Sequence, residues 1–197
     1  MIHKALAEWD WHIHRRAAVQ LLNTFHEALP QLLDALHSPI AIVRERAAYT
    51  LGELGDATAI PALITMVDDV NAHVRYHVLY ALERLKAQDA LPIFLHALKH
   101  DNDADVRYRA AAGLATLGYV EAVPGLLKAL QDHKLHVRHR AIYALGMLGD
   151  KRAIPALMLC CQDPSQRIQQ AARQALKLLG EEHPTHILHI NRDAVDL

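Results

Sequence analysis

Apolar residues recur along this chain at helical intervals, and the intervals themselves recur. In AIPALITMVDD, Ile60, Leu63, Ile64 and Val67 stand three and four apart, the spacing that lays one apolar stripe along a helix. After a short polar hinge a second segment follows, VRERAAYTLGELG in one unit and VRYHVLYALERLK in the next. On a wheel advancing roughly 100° per residue, Val43, Ala47, Thr50, Leu51 and Leu54 fall on one side. Each unit thus predicts two helices with only short turns to spare.

The units keep a strict step. Pro30, Pro61, Pro92, Pro124 and Pro155, each behind a short apolar pair, succeed one another at 31, 31, 32 and 31 residues. Val43-Arg44, Val74-Arg75, Val106-Arg107 and Val137-Arg138 follow in the same register, with Ile168-Gln169 in the last unit. Ile13-His14-Arg15-Arg16-Ala17-Ala18 echoes Val43 to Ala48, so a divergent unit opens the chain. A fixed period of this length is the mark of a solenoid, whose repeats each bury their apolar face only against neighbours. We therefore expect one all-α domain over 1–180, with about six units near 1–27, 28–58, 59–89, 90–121, 122–152 and 153–180. The tail 181–197 leaves the pattern.

Helix ends are written in the same register. The prolines suit a first turn, where a missing amide donor is harmless. Ser38, Asp69, Asp103, Asp132 and Asp163 are candidate N-cap side chains, and Gly55, Gly118, Gly149 and Gly180 candidate left-handed ends. Residues equivalent to Thr50 are Ala81, Gly113, Ala144 and Ala175, small enough for close helix approach.

This pattern, an ALPxLLxAL first helix and a VRxxAAxALGxLG second helix, resembles the HEAT-like repeats of the phycobilisome-lyase type. The resemblance covers 1–180 in patches and is strongest from about 28. It implies a right-handed α-solenoid with the second helices lining a concave surface. The family it points to includes bilin-attachment subunits, assembly factors and signalling scaffolds, so the resemblance is specific for fold and poor for function. The departures are Ile168-Gln169 for Val-Arg and Lys86 for glycine.

Composition adds limits. The chain has 197 residues, 52% hydrophobic but only 5% aromatic, which favours close-packed helices over a β-sandwich. Net charge is −1, so no global field advertises a nucleic-acid partner. Cys160 and Cys161 are adjacent, a spacing of neither a disulfide framework nor a zinc site, and fit a reducing cytoplasm. No apolar run has signal-peptide or membrane-spanning length, so a cytoplasmic protein without membrane attachment is expected.

The face opposite the apolar stripe carries the candidate site. The wheel puts positions equivalent to 45, 49 and 52 toward the cavity, with 46 and 53 on a flank. These rows hold Arg46 and Tyr49, then Tyr76, His77, Tyr80 and Arg84, then Tyr108 and Arg109, then His139, Arg140 and Tyr143, and they include five of the chain's six tyrosines. Such side chains give large contact area with a polar handle and are enriched at binding hot spots. With Glu45, Glu53 and Glu83 set against the arginines, the face is mildly positive and suits a protein partner with an acidic or mixed surface. Arg44, Arg75, Arg107 and Arg138, recurring beside the core valine with Asp56, Asp69, Asp101, Asp132, Asp150 and Asp163 in the turns, read instead as an ion-pair ladder between repeats.

Catalytic chemistry finds no support at motif level. There is no GxSxG elbow, no phosphate-binding glycine loop and no His partner for the cysteines. Among 15 histidines, His73/His77, His96/His100 and His136/His139 are helical pairs, and His183, His186 and His189 a spaced series in the tail. HEAT-repeat di-iron hydroxylases repeat His-Glu dipeptides in register, whereas His26-Glu27 stands alone here. The expectation is therefore a non-catalytic interaction scaffold or assembly factor, with no catalytic residues, metal or cofactor. Alternatives are a bilin-lyase subunit and a nucleic-acid-binding solenoid. Trp9, Trp11, Leu21, Leu22 and Phe25 are expected to cap the N-terminal end of the stack, or to form a dimer contact; the oligomeric state stays open.

Overall fold

The structure, a computed structural model, describes residues 25–181, with side chains from 29 onward. The divergent first unit, Trp9, Trp11, the apolar side chains near them and the tail histidines lie outside the described residues.

Ten α-helices make up the described chain: α1 (Phe25–Ala35), α2 (Ala41–Leu54), α3 (Ile60–Ile64), α4 (Ala72–Arg84), α5 (Leu91–His100), α6 (Ala104–Thr116), α7 (Val123–Ala129), α8 (Leu135–Leu148), α9 (Ile154–Cys160) and α10 (Gln166–Leu178). There is no strand among the described residues. Odd-numbered helices are the first of each pair and even-numbered ones the second. The chain divides between Gly113 and Leu114 into two compact units. In the first, α2 packs along α4; in the second, α8 packs along α10, and α7 and α9 pack on α8 and α10.

The proline rule holds in four pairs. α3, α5, α7 and α9 carry Pro61, Pro92, Pro124 and Pro155 in the first turn, each behind a 3₁₀ turn. α1 differs, since it starts at Phe25 and Pro30 lies inside it. The one-residue-longer repeat is visible in α5, which runs for 10 residues against 7 in α7 and α9. The core is the aliphatic stripe read from the wheel: Val43, Ala47, Leu51, Val74, Val78, Leu82, Val137, Ala141 and Leu145 have no solvent exposure.

The predicted caps need revision. Only Asp103 caps a helix, accepting from the Asp105 and Val106 amides. Ser38, Asp69, Asp132 and Asp163 sit two residues too early and accept instead from the amides of Ile40, Asn71, Lys134 and Ser165 within the turn. For α4 the cap is Asn71, at 2.9 Å from the His73 amide and 3.3 Å from that of Val74. Asp56 and Asp150, placed in the ladder by sequence, cap the 3₁₀ turns at Ala57–Ala59 and Lys151–Ala153.

The ladder itself forms at Asp69 and Asp101. Arg44 Nε and Nη2 grip the Asp69 carboxylate at 2.6 and 2.8 Å, and Arg75 grips Asp101 at 2.7 Å through both nitrogens. Burial alone would raise the Asp69 carboxyl, but the hydrogen bonds from Arg44 and the Asn71 amide, with the charges of Arg44 and Arg75, hold it below the usual carboxylate range. Each arginine also donates Nη1 to a carbonyl of its own hinge: Ser38 for Arg44, Asp69 for Arg75, Asp101 for Arg107 and Asp132 for Arg138. Where Gln169 replaces arginine, its amide still donates to the Asp163 carbonyl at 2.8 Å.

Gly55, Gly118, Gly149 and Gly180 end their helices at φ between 71° and 85°, and Lys86 takes the same left-handed turn at φ 52°. A Cβ there opposes the carbonyl, at about 1–2 kcal/mol. Lys86→Gly is expected to stabilise the chain by about 1 kcal/mol, after the greater freedom of the unfolded glycine is deducted. A thermal melt with no rise in Tm would contradict that account of the turn.

Candidate functional site

The first unit gathers the predicted side chains into one cluster. Tyr49 on α2 and Tyr80 on α4 stack with centroids 5.4 Å apart and planes 16° from parallel. His77 meets Tyr49 edge-on at 5.8 Å and Tyr76 at 5.1 Å. From α6, the Arg109 guanidinium lies 5.0 Å from the Tyr80 ring and 5.9 Å from that of Tyr76, within cation–π range. Tyr108 and Arg46 are half-buried on α6 and α2.

Within this cluster the arginines are already paired with glutamates. Arg109 forms an ion pair with Glu83, Arg84 with Glu53 at 3.3 Å, and Tyr80 donates its hydroxyl to Glu53. Burial and that bond to Glu53 push the Tyr80 phenol far above its ordinary range, so it stays protonated as a donor. His77 lies 3.5 Å from Glu45, yet burial, aided by the charges of His73 and Arg109, outweighs the hydrogen bond to the His73 carbonyl and that carboxylate, and holds the imidazole below its ordinary range. Arg84, with 52% of its side chain exposed, is the cation of this group most open to solvent.

The wheel also misplaced one row. Position 52 does not face a cavity: Gly52 is buried, and a Cβ added to it would stand 2.8 Å from Ala81 Cα, as one at Gly146 would stand 2.9 Å from Ala175 Cα. In a stack of helix pairs each second helix is covered on its flank by the next second helix as well as by its own first helix. A single-stripe wheel counts only one of those contacts.

In the second unit, His139, Arg140 and Tyr143 lie on α8. Arg140 sits 5.3 Å from the Tyr143 ring centroid, and Tyr143 is 47% exposed. A recess between α8 and α10 is lined by His139, Tyr143, Ala171, Gln174, Ala175 and Leu178.

Sequence reasoning missed a cleft of about 600 Å³ in the first unit, between the α3–α4 and α5–α6 pairs and away from the tyrosines. Val67, Val70, Ile93 and the neighbouring His96 and His100 rings line it, and Arg75 and Asp101 lie in its wall. The only signal for it in the sequence was the His96/His100 spacing. Cys160 and Cys161 are half-buried and unpaired, and burial pushes both thiols up. No group of three His, Cys, Asp or Glu side chains fit to hold a metal occurs among the described residues, and none of their helices is long and apolar enough to cross a membrane.

The sequence profile of the HEAT repeats matches residues 2–82, 29–115 and 94–177, nearly the whole chain. This chain is a HEAT-repeat protein. Its repeats are similar to those of two bilin-handling proteins. The bilin biosynthesis protein RpcF of Synechococcus sp. (strain WH8020) is 35% identical over 94 residues, 48% of this chain and 44% of that one. The phycocyanobilin lyase subunit alpha of Nostoc sp. is 36% identical over 100 residues, 44% of this chain and 36% of that one. Deoxyhypusine hydroxylase of Drosophila melanogaster is 30% identical over 107 residues, 54% of this chain and 35% of that one. This HEAT-repeat chain thus spans less than half the length of these curated relatives. Among solved structures, the complex of CpcE and CpcF of phycocyanin lyase from Nostoc sp. matches with TM-score 0.63 at 24% identity, covering 76% of this chain and 98% of that one. A designed armadillo repeat protein bound to a (KR)4 peptide matches with TM-score 0.63 at 18% identity, over 90% and 98%. These two place the fold among the α-solenoids.

The relatives overturn the expectation of a non-catalytic scaffold outside the enzymes, because they are a bilin biosynthesis protein, a lyase subunit and a hydroxylase. That expectation rested on missing catalytic motifs within one chain. A chain that works as one subunit of an enzyme need not hold a complete motif.

Proposed function

We propose that this HEAT-repeat chain is a subunit of a bilin-lyase-type assembly, working with a second protein chain. The observation that carries the reading is its identity of 35% and 36% with two bilin-handling proteins, and the chemistry of the first unit supports it. A bilin is a flat conjugated tetrapyrrole with carboxylate side chains. The near-parallel Tyr49 and Tyr80 rings offer aromatic surface, and Arg84 offers an accessible guanidinium beside them. A hydrogen bond from Tyr80 and an ion pair with Arg84, both to Glu53, hold the two side chains, so less order has to be gained on binding. Arg46, Tyr49, Tyr76, His77, Tyr80, Arg84, Tyr108 and Arg109 are the residues assigned to this surface.

Titration of the full chain with phycocyanobilin, followed by visible absorbance, tests this directly. A saturable change in the bilin band is expected, and Tyr49→Ala with Tyr80→Ala should weaken it about tenfold or more while far-UV circular dichroism is kept. Unchanged affinity in the double variant removes the cluster from the site. No spectral change with the wild-type chain, alone or with its co-purified partner, removes the lyase reading.

A further inference from the structure

The second helices differ sharply in charge from one unit to the other. α2, α4 and α6 set Glu45, Glu53, Glu83 and Asp105 against six arginines, whereas α8 and α10 contain no Asp or Glu and hold Arg138, Arg140, Arg167, Arg173 and Lys177. The same two helices expose Tyr143, Met147 and Leu178 to 47%, 48% and 65%. His139, Tyr143 and Met147 are four apart and so share one face of α8; Arg167, Ala171, Gln174 and Leu178 share one of α10. The recess between these faces is deepened by the small Ala171 and Ala175. Burial first, and then the charges of Arg167 and Arg140, hold the His139 imidazole below its ordinary range, so the field of both guanidiniums reaches this recess.

We propose that the α8–α10 face is a docking surface for an acidic segment of a partner protein, one with a large apolar side chain flanked by Asp or Glu. The apolar side chain enters the recess against Tyr143 and Leu178, and the flanking carboxylates meet Arg140 and Arg167. Charge complementarity selects this occupant, since two helices without a carboxylate repel a basic segment. Apolar exposure beside the arginines favours a peptide over a nucleic acid: Tyr143 alone gives no series of rings on which successive bases could stack. The proposal is independent of the bilin reading, which rests on the other unit.

The probe is a fluorescein-labelled dodecapeptide with Leu-Phe at its centre and Asp and Glu on both sides, followed by fluorescence anisotropy with the full chain. Binding is expected, weakening as salt is raised. Arg167→Glu, a change at an exposed position, should weaken it about tenfold or more, and Arg140→Glu with Arg167→Glu further, while Lys99→Glu on α5 leaves it unchanged. Far-UV circular dichroism checks that each variant is folded. The proposal is overturned if Arg167→Glu binds as the wild type does. It is equally overturned if a peptide with Lys in place of the acidic residues binds as well, or if a labelled oligothymidine binds more tightly than the acidic peptide.

Discussion

Arg75→Ala lowers the stability of the chain by about 3 kcal/mol and its Tm by roughly 6–12 °C. The guanidinium makes two hydrogen bonds of 2.7 Å to Asp101 and one of 2.8 Å to the Asp69 carbonyl, and the paired side chains are only 16% and 8% exposed. Removing the cation strands a poorly solvated carboxylate and leaves a hinge carbonyl without its donor, which is why the loss exceeds that of a surface ion pair. Arg152→Ala is the matched control: its partner Asp150 is two residues away on an exposed turn, so the melt should hardly move. Replacing both members, as Arg75→Met with Asp101→Leu, should recover much of the loss, because no charge is then left unpaired. Equal melts for Arg75→Ala and Arg152→Ala would sink the ladder as a source of stability.

The second large effect is at Phe94, whose truncation to alanine should cost about 3–5 kcal/mol in a denaturant titration. Its ring is fully buried on α5 and fills the space left by the absent Cβ of Gly113 on α6. At the equivalent positions the other pairs carry Leu32, Leu63, Leu126 and Leu157, all without exposure, and the position of Gly113 is held by Thr50, Ala81, Ala144 and Ala175. One repeat has thus exchanged a leucine and a small side chain for a phenylalanine and none. Gly113→Ala alone drives a methyl into the ring and should cost about 1–3 kcal/mol. Phe94→Leu with Gly113→Ala restores the volumes of the other repeats and should come within about 1 kcal/mol of the starting chain. Additive losses in that double variant would mean the two positions do not share one space.

The fold was legible because its punctuation repeats. Proline in the first turn, a buried valine beside arginine and glycine in the left-handed turn are each tied to a backbone or packing requirement that recurs in most of the described repeats, so each copy confirmed the others. The ladder was legible for the same reason, but its membership was not. Asp56 and Asp150 have the same residue type as Asp69 and Asp101, and their use as caps of the 3₁₀ turns is decided by a turn geometry that periodicity does not encode.

The candidate site was read less well. The residues of the first unit do come together, Tyr49 with Tyr80 and His77 with Tyr76, but a helical wheel treats each helix alone. It could not show that Glu53 and Glu83 are spent on Arg84, Tyr80 and Arg109. The buried Gly52 belongs to the same blind spot. The contrast in charge between the second helices of the two units was present in the sequence from the start. It became meaningful only once Tyr143, Met147 and Leu178 were seen to be exposed beside those arginines.

Purification of the full chain from its native host, with visible absorbance and mass spectrometry of whatever accompanies it, tests the central claim most directly. The account predicts a stoichiometric second HEAT-repeat chain or a bilin-bearing protein, with bilin absorbance in the purified complex. A stoichiometric complex free of bilin, with neither a lyase subunit nor a bilin-bearing protein in it, would contradict it.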